Sequence, residues 1–235
     1  MARLMRVALG AGVLTVTLAS VASGTSVRYQ KTTSFAGYDF SSSKVATASA
    51  RFTIPTITCS VKNSGVGPGA FVITTAHTPT GYFSYLNGAG LIVACQNNVA
   101  TYQLATEVAG SEHNTAIVMP GDVISVQVHV GSRRTSVVIN DLTSHQTATQ
   151  SGAGAKPSYV SIGTAAIQQN GAQFGVDAFS TVKFTDVVIN GRTLAWWKPF
   201  AVERYRVESH KQVIEIRPSA IAHGGESFTL SYVHA

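Results

Sequence analysis

The sequence predicts an all-β protein folded as an antiparallel β-sandwich of two packed sheets. Three observations carry this prediction. No stretch sustains helical periodicity, whereas many short segments alternate apolar and polar residues. Charged residues make up only 12% of the 235 residues, while apolar residues make up 45%, enough for a substantial core. Turn signals separate the segments, and Asn190-Gly191 is typical of a type I′ hairpin.

The first 24 residues differ from the rest and are predicted to form a secretory signal peptide. Arg3 and Arg6 give a basic start, residues 7–21 are apolar, and residues 20–24 are small enough for cleavage. A membrane anchor is the alternative, but the apolar run is shorter than the ~20 residues that a span needs. We therefore expect a secreted, extracellular chain with one domain over residues 25–235 and no membrane partner.

The charge of the chain does not indicate nucleic-acid binding. Without Arg3 and Arg6, 15 basic and 11 acidic residues remain. The basic residues are scattered, and Arg133-Arg134 is the densest pair before the C-terminal region. A nucleic-acid interface would need a basic patch or stripe, so no nucleic-acid partner is expected.

The order of the segments follows from alternation and turn residues. Residues 25–44 are polar and rich in turn residues, with an apolar anchor at 35–38. The loop at 62–69 contains three glycines and a proline. The Trp196-Trp197 pair is expected to pack under one end of the sandwich. Strands are predicted at 45–54, 56–59, 70–76, 82–86, 89–95, 99–108, 123–130, 135–140, 159–166, 174–189, 211–217 and 227–233.

The chain has two cysteines, Cys59 and Cys95. In an oxidising compartment an isolated pair is most simply one disulfide, and two buried thiols are the alternative. A metal site is poorly supported, because the cysteines lack nearby ligands and no His-Glu-x-x-His motif occurs. We expect neither a metal nor a cofactor.

Glu107 is the one charge in a strand that alternates strictly. Leu104, Thr106 and Val108 point to one side of this strand, and Gln103 and Glu107 to the other. A single carboxylate on the outer face of a strand is either solvated or set in a concave site. For one strand glutamate, the solvated face is the more common case.

The carboxylates of residues 25–192 exclude several enzyme classes. There are seven of them, and none forms the Glu-x-Asp or Glu-x-x-x-Glu pattern expected of a sandwich glycosidase. Asp122 and Asp141 follow turn residues, and Glu112 is predicted to lie in a polar loop beside His113. No Gly-x-Ser-x-Gly motif of a serine hydrolase occurs. Chemistry that uses one carboxylate is the enzyme class that this region supports.

Several motifs, taken in order, resemble the glutamic peptidases of the eqolisin type, in their secreted bacterial branch. No single motif is decisive, but the order and spacing are fairly specific and span nearly all of residues 35–235. The matching stretches are Phe35-Ala36-Gly37-Tyr38, Ser49 to Pro55, Cys59 with Cys95, Met119 to Ser125, Phe179 to Asp186 with Asn190-Gly191, and Pro218 to Ala220 with Gly225 to Thr229.

The resemblance implies a concanavalin-like jelly roll of two seven-stranded sheets and acid endopeptidase activity. In this family a glutamate acts as general acid and base on a water, and a glutamine on a neighbouring strand holds that water. Glu107 takes the glutamate position. The glutamine position is Gly88, and Asn87 is the nearby amide that could substitute for it. Gln103 shares the face of Glu107 but lies ~13 Å away along the strand.

Other positions of the family pattern are also replaced. The Trp-x-Gly-x-Asp-Gly stretch of relatives appears as Phe71 to Ala76, and their Glu-Trp-Ile-Val-Glu strand appears as Tyr159 to Gly163. Two functions therefore remain open. One is an acid endopeptidase that activates water with Glu107. The other is a non-catalytic relative that binds a peptide or glycan in the former cleft. A polypeptide substrate or ligand and a monomeric state are expected in both cases.

Overall fold

The computed structural model describes residues 29–60, 69–77, 83–154, 159–165, 176–222 and 224–233. For 69–77, 83–86 and 165 only the backbone is described. The predicted signal peptide lies outside this range. Within the described residues nearly all secondary structure is β-strand, and a short 3₁₀ turn at Leu194–Trp197 is the exception. No described helix is long and apolar enough to cross a membrane.

Eighteen strands are found among the described residues. They are β1 Tyr29–Thr32, β2 Phe35–Ser41, β3 Thr47–Thr53, β4 Ile57–Thr58, β5 Gly69–His77, β6 Phe83–Gln96, β7 Val99–Val108, β8 Ser111–Ile117, β9 Val123–Val130, β10 Arg134–Asp141, β11 Gln146–Ala153, β12 Tyr159–Ala165, β13 Ala178–Phe179, β14 Val182–Ile189, β15 Arg192–Thr193, β16 Phe200–Glu208, β17 Lys211–Pro218 and β18 Phe228–Tyr232.

The strands form a sandwich from one hydrogen-bonded path that folds over on itself. The path runs β11-β10-β9-β3-β14-β18-β17-β16-β2-β12-β5-β6-β7-β8. Strands β5, β6 and β7 of the second half pack on β3, β9, β10 and β11 of the first half. Except for β1, which runs parallel to β16, the neighbouring strands are antiparallel. The predicted all-β antiparallel sandwich is therefore confirmed.

The core lies between the two layers and is built by the apolar half of each alternating strand. In β9 the residues Ile124, Val126, Val128 and Val130 are buried, while Gln127 and His129 between them are exposed. The same alternation holds in β10, and it holds in β7 from Tyr102 onward except at Ala105, which is buried as well. Because successive side chains of a strand point to opposite faces, this pattern fixes which residues reach the outer surface.

Some strands were not predicted from the sequence. Residues 25–44 were expected to be turn-rich, but they contain β1 and β2, and β2 pairs with β12 on one side and β16 on the other. The segments at 82–86 and 89–95 join into the single strand β6. Strands β8 and β11 escape prediction because they lie at the two ends of the path and are polar on both faces, which is typical of edge strands.

A buried charged cluster lies where the path passes through β16 and β17. Arg204 forms an ion pair with Glu215, and both side chains are 2% exposed. Arg206 lies 3.4 Å from the same carboxylate. Burial lowers the pKa of Arg204 to about 10, since a charged guanidinium is disfavoured away from water.

Candidate functional site

Glu107 lies near the end of β7, on the outer face of the second layer. Its neighbours Thr106 and Val108 are 1% and 3% exposed and point into the core. Glu107 itself is half-buried and points the other way. The alternation that predicted this orientation is therefore confirmed.

Six residues from six neighbouring strands form a single row across this face. Each is paired with the next by strand register, so the described side chains among them lie on the same side of the sheet, and Ile73 is included by its backbone register alone. We call this set the carboxylate row, and its members in order are Glu112, Glu107, Gly88, Ile73, Ser161 and Asp39. At its far end the Ser161 hydroxyl donates a hydrogen bond of 3.3 Å to Asp39.

The pKa of Glu107 is raised from 4.5 to about 7. Burial is the main cause, because it disfavours the charged carboxylate, and the charge of Glu112 directly across the strand pair adds to it. Glu112 was predicted to lie in a polar loop. The structure instead places it on the edge strand β8, paired with Glu107. A glutamate of this kind exchanges its proton close to neutral pH.

Asn87 does not reach Glu107. It is paired with Val108, it is 1% exposed, and it lies on the core side of β6. Its Oδ1 accepts a hydrogen bond of 3.1 Å from the backbone N–H of Ala109. The expectation that Asn87 substitutes for the glutamine is therefore wrong, since a shift of one residue along a strand moves a side chain to the opposite face.

Gly88, the position of the glutamine in the resemblance, lies directly opposite Glu107. Gln103 shares the face of Glu107 but pairs with Ile92 and Ile117, four residues further along the strand. The amide that lies nearer by register is Asn114. Asn114 lies on the edge strand β8 and pairs with Ala105 of β7, so it is diagonally adjacent to Glu107. No sequence pattern pointed to Asn114, because β8 was not recognised as a strand.

Beside the row, two paired glycines occupy positions where the packing leaves no room for a side chain. Gly37 and Gly163 are paired across β2 and β12, on the same side of the sheet as Ser161 and Asp39. A Cβ on Gly163 would lie 2.1 Å from the carbonyl oxygen of Ala36 and 2.9 Å from the Phe35 ring. A Cβ on Gly37 would also lie 2.9 Å from that ring. The two backbones approach too closely for a side chain, and the Phe35 ring lies over them.

The predicted disulfide between Cys59 and Cys95 is confirmed, with a Cα–Cα distance of 5.7 Å. Asp177 lies close to both sulfurs. A metal site does not follow, because sulfurs joined in a disulfide are not available as thiolate ligands. Asp177 instead accepts a hydrogen bond of 2.8 Å from the backbone N–H of Ser60.

A shallow cavity of about 300 Å³ lies on the outer face of the other layer. It is bordered by β3, β9 and β10, and His129 and Gln127 are its largest polar side chains. No carboxylate lines it, and it is on a different sheet face from Glu107. This cavity is therefore separate from the carboxylate row.

The comparisons with known proteins agree with one another. A family model described as the Peptidase A4 family matches residues 33–232. The scytalido-glutamic peptidase structure with a transition state analog inhibitor is similar at 15% identity and a TM-score of 0.64, covering 86% of this chain and 98% of that chain. The eqolisin SCP-B in complex with the tripeptide Ala-Ile-His is similar at 17% identity and a TM-score of 0.61, with the same coverage. No curated protein matches the sequence.

Proposed function

Because the chain belongs to the Peptidase A4 family, we propose that it is a secreted, monomeric relative of the glutamic peptidases that binds an extended polypeptide along the carboxylate row without cleaving it at an ordinary rate. The observation that carries this proposal is the position of Gly88. A glycine stands directly opposite Glu107, where the resemblance places the glutamine that holds the water.

The missing side chain is not replaced from β6. Asn87, the neighbouring amide, is held on the core side by its contact with Ala109. Removing one donor that stabilises an oxyanion typically lowers kcat by ~10²–10³. Losing the group that also orients the attacking water lowers it further, because the reacting atoms are no longer held together.

The backbone near Gly163 supports the same conclusion. Relatives carry a Glu-Trp-Ile-Val-Glu strand whose last glutamate corresponds to Gly163 here. A side chain cannot occupy this position while Ala36 and Phe35 stay in place, because even a Cβ would overlap the Ala36 carbonyl. By this resemblance the face lacks two polar side chains, at Gly88 and Gly163, and the Phe35 ring covers the second of these positions.

The same face keeps features that suit peptide binding. It presents Glu107, Ser161, Asn114 and Asp39 beside a floor without side chains at Gly88, where a bound backbone could approach closely. Of the two similar structures, one contains a transition state analog inhibitor and the other contains the tripeptide Ala-Ile-His. A polypeptide is therefore the ligand class that this face fits best.

A second candidate function is acid endopeptidase activity through Glu107. The observation that favours it is the diagonal position of Asn114, whose amide is on the same face as Glu107. In this case the glutamate would act as general acid and base on a water, and Asn114 would hold that water in place of the glutamine. The raised pKa of Glu107 suits a proton donor below neutral pH.

One experiment separates the two functions. The purified protein without residues 1–24 is incubated with a denatured protein substrate from pH 2 to pH 7, and new peptide termini are quantified by mass spectrometry. Glu107→Gln and Asn114→Ala are measured in parallel, with Gln103→Ala as the control on the same face. We expect no cleavage above the background set by Glu107→Gln.

Binding is measured on the same preparations. Immobilised peptide and glycan libraries are probed with the labelled protein, and we expect retention on peptides. Cleavage at acid pH that disappears in both Glu107→Gln and Asn114→Ala would refute the non-catalytic proposal and establish the second candidate. Retention on glycans alone would refute the choice of a polypeptide ligand.

A further inference from the structure

A carboxylate lies beside the disulfide, although it is far from both cysteines in sequence. Strands β4 and β13 pair in antiparallel register, with Thr58 opposite Ala178. The next residues in this register are Cys59 and Asp177, and the disulfide joins Cys59 to Cys95 of β6. The two Sγ atoms and one carboxylate oxygen of Asp177 all lie within 4.8 Å of one another. The sequence analysis found no ligand near the cysteines, because this position depends on the pairing of two short strands.

The carboxylate of Asp177 is buried and only half satisfied. Asp177 is 1% exposed, and its Oδ1 accepts a hydrogen bond of 2.8 Å from the backbone N–H of Ser60. Its Oδ2 is buried as well and has no hydrogen-bond partner among the described residues. Within the same part of the chain, Asp177 forms no salt bridge. Burying a polar oxygen without a partner costs free energy, and a bound ion is one way of satisfying such an oxygen.

The three side chains provide the donor set of a zinc site once the disulfide is reduced. Zn²⁺ is bound by thiolates at ~2.3 Å and by carboxylate oxygens at ~2.0–2.2 Å, so the ligand atoms of a tetrahedral site are ~3.6–3.8 Å apart. The Asp177 oxygen is already close to this distance from both sulfurs, and the sulfurs separate when the bond between them is broken. Thiolate ligands favour Zn²⁺ over the hard cations Mg²⁺ and Ca²⁺.

We propose that the reduced protein binds one Zn²⁺ through Cys59, Cys95 and Asp177, with a water as the fourth ligand. A dithiol reductant supplies two electrons and two protons, which break the S–S bond and leave two Cys–SH groups, while the reductant becomes a disulfide. Zn²⁺ then displaces both thiol protons. Asp177 coordinates the ion through Oδ2, the oxygen that lacks a partner in the oxidised form. This site is independent of the carboxylate row and of the function proposed there.

The position of the three residues suits a structural site that opens on one side. Cys95 is 2% exposed, whereas Cys59 is half-buried and offers the ion a way in. Cys59 follows β4 directly, Cys95 lies near the end of β6, and Asp177 directly precedes β13. The ion would therefore link the strands that the disulfide links and would also hold β13. Reducing surroundings would replace a covalent cross-link by a metal cross-link.

Cobalt(II) is the first probe, because it occupies zinc sites and its thiolate complexes are coloured. The tag-free protein without residues 1–24 is folded in its oxidised form, reduced with a phosphine under argon, and titrated with Co²⁺ in zinc-free buffer. We expect an equimolar amount of Co²⁺ to produce a thiolate-to-metal charge-transfer band in the near ultraviolet and the intense visible bands of a four-coordinate ion. Added Zn²⁺ should remove both, and the oxidised protein should show neither.

Variants assign the ion to the three residues. Asp177→Asn should weaken Zn²⁺ binding at least ~10-fold in competition with a chromophoric chelator, because losing even an outer partner of a metal ligand costs ~10–100-fold. The asparagine keeps an acceptor for the Ser60 N–H. Asp141→Asn is the matched control, since Asp141 is 3% exposed and also accepts backbone N–H bonds, but lies on β10. The double variant Cys59→Ser, Cys95→Ser should lose the charge-transfer band.

Thermal unfolding tests whether the ion binds the folded chain. Zn²⁺ should raise the Tm of the reduced protein and leave that of the oxidised protein unchanged. If reduction unfolds the chain, Zn²⁺ should restore its near-ultraviolet circular dichroism, because metal binding then supplies folding free energy. Absence of the charge-transfer band, or a reduced protein that Zn²⁺ neither stabilises nor refolds, would overturn the proposal. Equal affinities of Asp177→Asn and the wild type would overturn it too, since the thiolates alone would then hold the ion.

Discussion

Replacing Gly163 by alanine should destabilise the protein by about 3 kcal/mol, the upper end of the usual cost of overpacking. The added Cβ would lie 2.1 Å from the carbonyl oxygen of Ala36 and 2.7 Å from the Cα of Gly37. Both atoms belong to the backbone of β2, so no side chain can rotate to make room. Strand β2 must move away from β12, which strains the seven residue pairs between them.

Thermal unfolding followed by near-ultraviolet circular dichroism measures this loss. For a domain of about 200 residues, 1 kcal/mol shifts Tm by ~2–4 °C, so the variant should unfold about 6–12 °C below the wild type. Gly152→Ala is the matched control. Its Cβ would lie 2.8 Å from Cγ1 of Val108, and because that atom belongs to a side chain, the loss should be about 1 kcal/mol.

The result has a direct bearing on function. If Gly163→Ala were as stable as the wild type, the space beside Phe35 would admit a side chain, and the argument that this position cannot hold a glutamate would be refuted. If the loss is as large as expected, Gly163→Glu should not restore cleavage. An acidic group at that position would require a different packing of β2 on β12.

Three other predictions follow from the described contacts. The pKa of Glu107 is about 7 in the folded protein instead of 4.5, so the folded protein binds this proton more tightly than the unfolded chain, and the free energy of unfolding should fall by about 1 kcal/mol as pH rises from 4.5 to 7.5, after allowance for screening at a half-exposed group. The Tm, measured at both pH values, should fall less in Glu107→Gln than in the wild type, and an equal fall would contradict the assignment to Glu107. Reducing the Cys59–Cys95 bond, which joins residues 36 apart, should cost about 4 kcal/mol on the chain-entropy model, and an unchanged urea midpoint after reduction would argue against it. Glu215→Gln should cost about 3–5 kcal/mol because it leaves Arg204 buried without its charge partner, whereas Glu208→Gln, an exposed partner of Arg206, should change the urea midpoint little.

Much of the fold could be predicted from the sequence, because the signals involved are local. Alternation in Val123–Val130 identifies a half-buried strand without knowledge of its neighbours. Asn190 and Gly191 both adopt positive φ angles, as a type I′ turn requires. Of the two tryptophans expected at the end of the sandwich, Trp197 stacks on Phe40, while Trp196 is 57% exposed.

The composition of the site could not be predicted, because it depends on register between distant strands. Asp39 and Glu107 are brought into one row by five successive strands. Glu112 joins them only because the Ala109–Gly110 turn returns β8 against β7. The error on Asn87 has the same origin. Asn87 is next in sequence to Gly88, which pairs with Glu107, but this shift of one residue places the Asn87 side chain on the opposite face of the sheet.

Alternation explains how a chain can keep the family fold while changing its site. In β6, β7 and β12 every second residue faces the core, for example Leu91, Leu104 and Ile162. These core residues hold the two layers together whichever residues occupy the outward-facing positions. The remaining half forms the outer face, where Gly88 and Gly163 stand. The match to the Peptidase A4 family over residues 33–232 agrees with the two packed layers of strands and establishes the fold of this chain. The activity depends on the side chains of the outer face, because a fold does not by itself determine a function.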